Sequence, residues 1–268
     1  MKYISLISQQ LMAMGFLTKL SIFLKSTKLF KNWYIYPLVY FKLIKKQYVI
    51  FETKTDLKIK IRTNSTDLMA LTNVWMTNEY DIENFQIAEN DTIIDIGAHI
   101  GLFSLLVSQF CKTGKIFSFE PINDNFNLLI SNLKLNHAEN IRPFNLAVSK
   151  NTPSVNLFLN SDQSAHSIFS SDSESITVES ISLQKIFDEN KISSCKLLKL
   201  DCEGAEYEII DSLPLEYFNK IQNMAIEYHA ADSKPELAED LMSKIKNAGF
   251  TIKTRPHHND MGFLIATK

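Results

Sequence analysis

The sequence predicts an α/β fold in which a mostly parallel sheet carries helices on both faces, preceded by a helical and hairpin extension. Two observations carry that prediction. After Asn90, short apolar runs alternate with stretches at helical spacing, the signature of βαβ units whose strands are buried on both sides. A glycine-bearing segment, Asp95-Ile96-Gly97-Ala98-His99-Ile100-Gly101, falls where the first of those runs meets its helix.

Residues 1–50 carry Lys2, Lys19, Lys25, Lys28, Lys31, Lys42, Lys45 and Lys46 but no acidic residue. Tyr3 to Thr18 is uncharged yet contains Gln9 and Gln10, too short and too polar for a membrane span. The absence of a small-residue cleavage site argues against a secretory signal. Two roles remain for this segment: amphipathic helices packed on the catalytic domain or in a homo-oligomer, or peripheral contact with an anionic membrane, where each lysine adds about 1 kcal/mol. The aromatic cluster Trp33, Tyr34, Tyr36 and Tyr40 favours packing, because such clusters fill cores more often than they meet lipid.

Alternation in Val49, Phe51, Leu57, Ile59 and Ile61 predicts a hairpin with Lys54, Thr55 and Asp56 in its turn. Asp67 is expected to cap a helix bearing Leu68, Leu71, Val74 and Trp75. The extension is taken to occupy residues 1–80 and the main domain residues 81–268. Within the latter, Thr92–Ile96, Lys115–Phe119, Ile141–Leu146, Lys196–Leu200 and Gln222–Glu227 read as strands. Helices are expected over Leu102–Phe110, from Asn123 or Asp124 as cap through Leu133, around Leu183–Phe187, over Glu206–Leu213, and from Pro235 to a cap at Gly249. Val155, Leu157, Leu159, Ile176 and Val178 suggest a hairpin bracketing a serine-rich loop. A second hairpin, Phe250–Thr254 with Phe263–Thr267, closes the chain.

With 268 residues, 22% of them charged, and a formal net charge of -2, the chain lacks the basic surface that wrapping nucleic acid requires, so no nucleic-acid partner is expected. Cys111, Cys195 and Cys202 have neither the count nor the spacing of a disulfide framework or a zinc site, which fits the reducing cytoplasm.

The glycine segment carries the chemistry. Gly97 and Gly101 let the backbone turn sharply, and amide groups at a helix start offer donors to a carboxylate. Asp95 is placed to hold a ligand ammonium, directly or through water. Glu120, about 20 residues on, is placed to take the two hydroxyls of an adenosine ribose. A dinucleotide site has the same architecture but wants a glycine where His99 stands, so its pyrophosphate would meet a side chain. The acid two positions before the first glycine instead suits a ligand bearing both ammonium and carboxylate, the methionine part of S-adenosylmethionine.

Taken with Phe119-Glu120-Pro121, Asn132, Asn136, Ala147, Leu198 to Glu206 and Glu227-Tyr228-His229, this segment resembles the successive motifs of FkbM-type methyltransferases over about the last two thirds of the chain. The resemblance implies a Rossmann-like class I methyltransferase fold, an α/β architecture with a seven-stranded sheet whose last strand is reversed. It implies methyl transfer from S-adenosylmethionine, usually to a hydroxyl oxygen. Asp95, Gly97, Ala98, His99, Gly101, Glu120, Pro121, Ala147 and Asp201 are then expected to line the cofactor. The family usually has asparagine where His99 stands and aspartate where Gln184 stands.

Methyl transfer from a sulfonium is an in-line displacement, so holding donor carbon and acceptor oxygen about 3 Å apart supplies much of the rate, and a general base adds about 10²-fold to 10⁴-fold. Asp201 ends the fourth sheet strand, where ligands of open α/β sheets bind, and Glu203 and Glu206 follow it. His229 is the first choice of base because its ordinary pKa lies near neutrality, with Asp201 and Glu203 facing the acceptor beside it. His166 would reach the site only if its loop folds over it. Asp201, Glu203, Glu227 and His229 have the chemistry to hold magnesium or manganese, but their spacing alone does not predict a metal, and none is assigned. The acceptor is expected to be a small molecule or glycan. The rival readings are an NAD-type oxidoreductase on the same sheet and a non-catalytic module docked to a membrane or partner through residues 1–50.

Overall fold

The computed structural model describes residues 15–150, 153–158, 175–258 and 260–268. His166 and its loop lie outside the described residues, as does the region before residue 15.

Helix α1 (Phe16–Leu29) and the short α2 (Ile35–Tyr40) lead into the hairpin of β1 (Tyr48–Glu52) and β2 (Lys58–Arg62). Strand alternation puts Val49, Phe51, Ile59 and Ile61 on the buried side, and Asp56 makes the turn at φ +68°. Ile22 and Ser26 in the first helix and Phe30 just after it, four residues apart, form a buried stripe, while Leu17, Leu20 and Leu24 are exposed. The expected aromatic cluster divides: Tyr36 is buried, whereas Trp33 and Tyr34 are exposed. Among the described residues no helix is long and apolar enough to cross a membrane.

Helix α3 (Asp67–Trp75) and a 3-10 turn (Ile82–Phe85) precede the sheet. Asp67 is not the helix cap. Thr66 occupies that position, and the Asp67 carboxylate turns back to accept from the Arg62 backbone N–H at 2.8 Å. A buried carboxylate gains more from a guanidinium than from one more amide donor.

The main domain runs β3 (Thr92–Ile96), α4 (Leu102–Ser108), β4 (Lys115–Phe119), α5 (Asn123–Leu135), β5 (Ile141–Phe144), β6 (Ala147–Ser149), β7 (Ser154–Phe158), β8 (Ser175–Ser182), α6 (Leu183–Glu189), β9 (Cys195–Leu200), α7 (Glu206–Ser212), α8 (Leu215–Phe218), β10 (Ile221–His229), α9 (Pro235–Asn247), β11 (Thr251–His258) and β12 (Met261–Thr267). Seven strands form one sheet in the order β11-β12-β10-β9-β3-β4-β5, all parallel through β10-β9-β3-β4-β5, with β12 antiparallel to both neighbours. This is the α/β architecture the sequence predicts, with the reversed last strand. Strand order switches direction between β3 and β9, so their carboxyl ends flank the crevice where such sheets bind ligands.

Alternation along each strand splits the core. Ile93, Ile116 and Leu197 face α4, α5 and the N-terminal elements, whereas Ile94, Phe117 and Leu198 face the helices of the second half. The first cluster is continuous from Ile22 and Phe30 through Phe103 and Leu129 to Phe263, so the N-terminal extension shares its core with one face of the sheet.

Asn132 on α5 and Asn136 at its C-terminal cap, four residues apart, dock the hairpin. Asn132 Oδ1 accepts from the Lys60 N–H at 2.7 Å and its Nδ2 donates to the Lys60 carbonyl at 3.1 Å, while Asn136 repeats the pattern on Lys58 at 2.7 Å each way. The two side-chain amides thus serve as a substitute strand for the edge of β2. Some boundaries differ from expectation. The strand read through Leu146 stops at Phe144, because the Asn145 side chain turns to the Glu120 and Pro121 carbonyls, and β6 then joins β8 and β7 in a small second sheet. Neither Asn123 nor Asp124 caps α5; Ile122 holds that position, and its N–H donates to Glu120 at 2.9 Å.

Candidate active site

The turn leaving β3 is held from several directions. The amides of Gly97 and Ala98 both donate to the Phe119 carbonyl, at 3.0 and 2.9 Å, and the Gly101 amide donates to the Ala98 carbonyl. The donors expected for a ligand carboxylate at these three positions are therefore already used inside the turn. Gly97 adopts φ +76°, and a Cβ there would stand 1.7 Å from the Asp201 carbonyl oxygen, so the glycine is demanded by the end of β9 rather than by a ligand. At Gly101 (φ +85°) a Cβ would meet the Leu129 side chain at 3.2 Å.

His99, between them, adopts φ +51° and donates its amide to Glu120 Oε2 at 2.8 Å. Its Nε2 lies 3.2 Å from Arg62 Nη2, and since a guanidinium only donates, the ring proton belongs on Nδ1. Burial pushes this imidazole down to about 4, so it is neutral. Arg62 also grips Asp67 through Nε and Nη2 at 2.9 and 2.7 Å and reaches Asn125 at 2.8 Å. Asp67 stays below the usual carboxylate range because, against its burial, the guanidinium supplies these bonds. The extension therefore braces the glycine turn through a buried ion pair.

Glu120 is 5% exposed and accepts from His99 and Ile122, yet burial pushes its carboxyl up to about 7. It stands at the end of β4, where the ribose partner is expected. Pro121 follows it, and Ala147 is buried at the start of β6.

Asp95 is fully buried and does not face the crevice. Ser104 donates to Oδ2 at 2.6 Å, and Lys199 Nζ stands 3.2 Å from Oδ1, an ion pair without hydrogen-bond alignment. Lys199, also buried, donates to the Gly97 carbonyl at 2.7 Å and lies 3.7 Å from Asp201. Burial disfavours its charge, but Asp95 and Asp201 outweigh burial and raise its pKa. Lys199 thus ties the ends of β3 and β9 together, a role missed at the sequence level. An ionisable residue inside the apolar run Leu197-Leu198-Lys199-Leu200 is the signal that finds it. Tyr80, equally unanticipated, packs edge-on to Phe103 and donates to Asp201 Oδ2 at 3.0 Å.

Glu203 takes φ +56° in the turn after β9, and Glu206 stabilises that turn by accepting from the Cys202 and Gly204 amides at 2.8 Å each. Glu206 is fully buried, so it is an organiser of the turn, not merely a charge favouring a helix start. Its Oε1 also lies 3.2 Å from His229 Nδ1. His229 is the last residue of β10, two positions beyond the expected strand end, and is buried. Nε2 points toward Glu203 at 3.3 Å and Glu227 at 3.8 Å. Burial lowers the pKa of this imidazole, but Glu203, Glu206 and Glu227 overcome that and raise it well above the ordinary value. In the unliganded chain these carboxylates therefore favour the protonated form of His229, which opposes the role of base expected for it. Burial, reinforced by Asp201 and Glu79, also raises Glu227 well above the carboxylate range.

The crevice thus gathers Asp201, Glu203, Glu227 and His229 at one end and Glu120 at the other. Among the described residues beside it, Lys199 and Arg62 are already paired with carboxylates. This donor set fits a nucleoside that carries a sulfonium and an ammonium and offers a diol to Glu120; a pyrophosphate would instead meet the carboxyl groups of Asp201 and Glu203.

The description "Methyltransferase FkbM domain" belongs to the family model that matches residues 95–252. Methyltransferase 1 of Beauveria bassiana is 22% identical over 195 residues, covering 65% of this chain and 76% of its own. Methyltransferase sdnD of Sordaria araneosa is 24% identical over 199 residues, covering 62% of this chain and 76% of its own. Among solved structures, a methyltransferase FkbM from Methylobacillus flagellatus is similar at a TM-score of 0.48 and 18% identity, covering 77% of this chain and 54% of that one.

Proposed function

The chain belongs to the FkbM methyltransferase family and is an S-adenosylmethionine-dependent methyltransferase, and on that premise we propose that it methylates a hydroxyl oxygen on a sugar, glycan or other secondary-metabolite acceptor. The observation that carries this reading is the cluster of Glu203, Asp201 and His229 at the carboxyl ends of β9 and β10, beside the switch point of the sheet. S-adenosylmethionine supplies a methyl carbon made electrophilic by its sulfonium. Glu120 holds the ribose diol, and the turn from Gly97 to Gly101 shapes the rest of the cofactor surface. As the acceptor oxygen bonds to the methyl carbon and the carbon–sulfur bond breaks, the hydroxyl proton passes to the Glu203 carboxylate, which is about one quarter exposed. His229 next to it stabilises the charge, and the thioether leaves neutral.

The N-terminal surface supports an acceptor presented at an anionic membrane. Leu17, Leu20, Leu24, Phe41 and Leu43 are exposed, together with Lys28, Lys42, Lys45 and Lys46. The test supplies isotopically labelled S-adenosylmethionine to separated membrane and soluble fractions of cell extract. Label is expected in the membrane fraction as a methyl ether that survives mild base. Label released by mild base as an ester, or found on nitrogen, contradicts transfer to a hydroxyl.

A further inference from the structure

We propose that Asp201, Glu227 and His229 form a binding site for a divalent cation, magnesium or manganese, at the acceptor end of the crevice. Each offers one ligand atom, and these atoms lie within 4.8 Å of one another, close enough for small side-chain rotations to converge on an ion. Two carboxylates and one imidazole suit these cations once the ion has displaced the protons of His229 Nε2 and Glu227 to solvent, and a three-residue set leaves coordination positions for water and an acceptor hydroxyl.

Acidic clusters are common without a metal, so the case rests on His229. Its side chain is nine-tenths buried, and Nε2 has no hydrogen-bond partner although it is sealed from solvent: Glu203 at 3.3 Å is an ion pair without hydrogen-bond alignment, and Glu227 at 3.8 Å is out of hydrogen-bond reach. The opposite ring nitrogen is fixed. Nδ1 faces Glu206 Oε1 at 3.2 Å, and both oxygens of Glu206 are locked by the Cys202 and Gly204 amides. A carboxylate that orients an imidazole by one nitrogen while the other aims at further carboxylates is the arrangement that surrounds histidine ligands in metal sites. Asp201 is steadied in the same way, by the Tyr80 hydroxyl at 3.0 Å. Lys199 is held by Asp95 and the Gly97 carbonyl and lies 3.7 Å from Asp201, so an ion would share that carboxylate with it, while no ion pair joins Lys199 to Glu227 among the described residues.

What the ion does rests on the acceptor reading above: a coordinated hydroxyl loses its proton to Glu203 more readily and is aimed at the methyl carbon. Whether the ion binds is tested separately. Chelator-treated protein is titrated with manganese while the free-ion electron paramagnetic resonance signal is followed, and S-adenosylhomocysteine binding is measured on the same sample. One manganese per chain is expected, displaced by magnesium, with affinity reduced about tenfold or more in Glu227→Gln and in His229→Gln. The pulsed spectrum of the wild-type complex, which requires no variant, is expected to show coupling to an imidazole nitrogen. Protein that binds S-adenosylhomocysteine but takes up no manganese overturns the proposal, as does manganese without nitrogen coupling or undiminished in both variants. Manganese uptake with those signatures but no S-adenosylhomocysteine binding upholds the ion site and counts against the cofactor reading instead.

Discussion

Lys199→Met is expected to destabilise the chain by about 3–5 kcal/mol, the cost of leaving a buried charge without its partner. Asp95, fully buried 3.2 Å from the ammonium, is that partner, and Asp201 and the Gly97 carbonyl lose the same cation. A melting temperature lower by on the order of 10 °C follows for a chain of this size. Adding Asp95→Asn to the variant removes the orphaned charge, so the double variant is expected to recover part of the loss, and the two substitutions should be strongly non-additive. Equal stability of Lys199→Met and wild type in thermal denaturation would show that Lys199 does not bind β3 to β9.

Gly97→Ala is expected to cut methyl transfer by about 10²-fold or more, since displacements near 1 Å at a reacting centre have that effect. The added Cβ would lie 1.7 Å from the Asp201 carbonyl oxygen in a left-handed backbone, so the turn or Asp201 must move. Gly101→Ala is the control. Its Cβ comes closest to the Leu129 side chain, at 3.2 Å, leaving backbone strain of about 1–2 kcal/mol as the main cost. Steady-state rates for the two variants check the ranking, and a Gly97→Ala enzyme as active as Gly101→Ala would refute the packing argument.

The sheet was legible because its strands alternate between two buried faces: Ile93-Ile94, Ile116-Phe117 and Leu197-Leu198 are continuous apolar pairs that no half-exposed strand tolerates. The acidic strand ends at Glu120 and Asp201 were legible for the same reason, since they stop those runs. Pairings between distant segments were not. Nothing local at Arg62 announces that it meets Asp67, His99 and Asn125, and Asp67, five residues away, looks like an ordinary helix start. Asp95 sits where a ligand contact is expected, yet its neighbour across the sheet is Lys199, which turns the carboxylate inward. His229 resembles a loop residue because Tyr228-His229 closes an apolar run, but pairing of His229 with Met261 extends the strand and buries the ring against Glu206.

If the glycine turn and Glu120 hold S-adenosylmethionine, calorimetric titration with S-adenosylhomocysteine from pH 8 to pH 6 must reveal it. A ribose diol donates to an ionised carboxylate, and burial holds the Glu120 carboxyl at about 7, so protonation competes with binding as the pH falls. Binding is expected at one molecule per chain, weakening about tenfold across that range, with Glu120→Gln weaker at pH 8 and nearly flat. Well-folded protein that takes up no S-adenosylhomocysteine, or binds it equally at every pH and in the Glu120→Gln variant, would mean that Glu120 does not hold the cofactor.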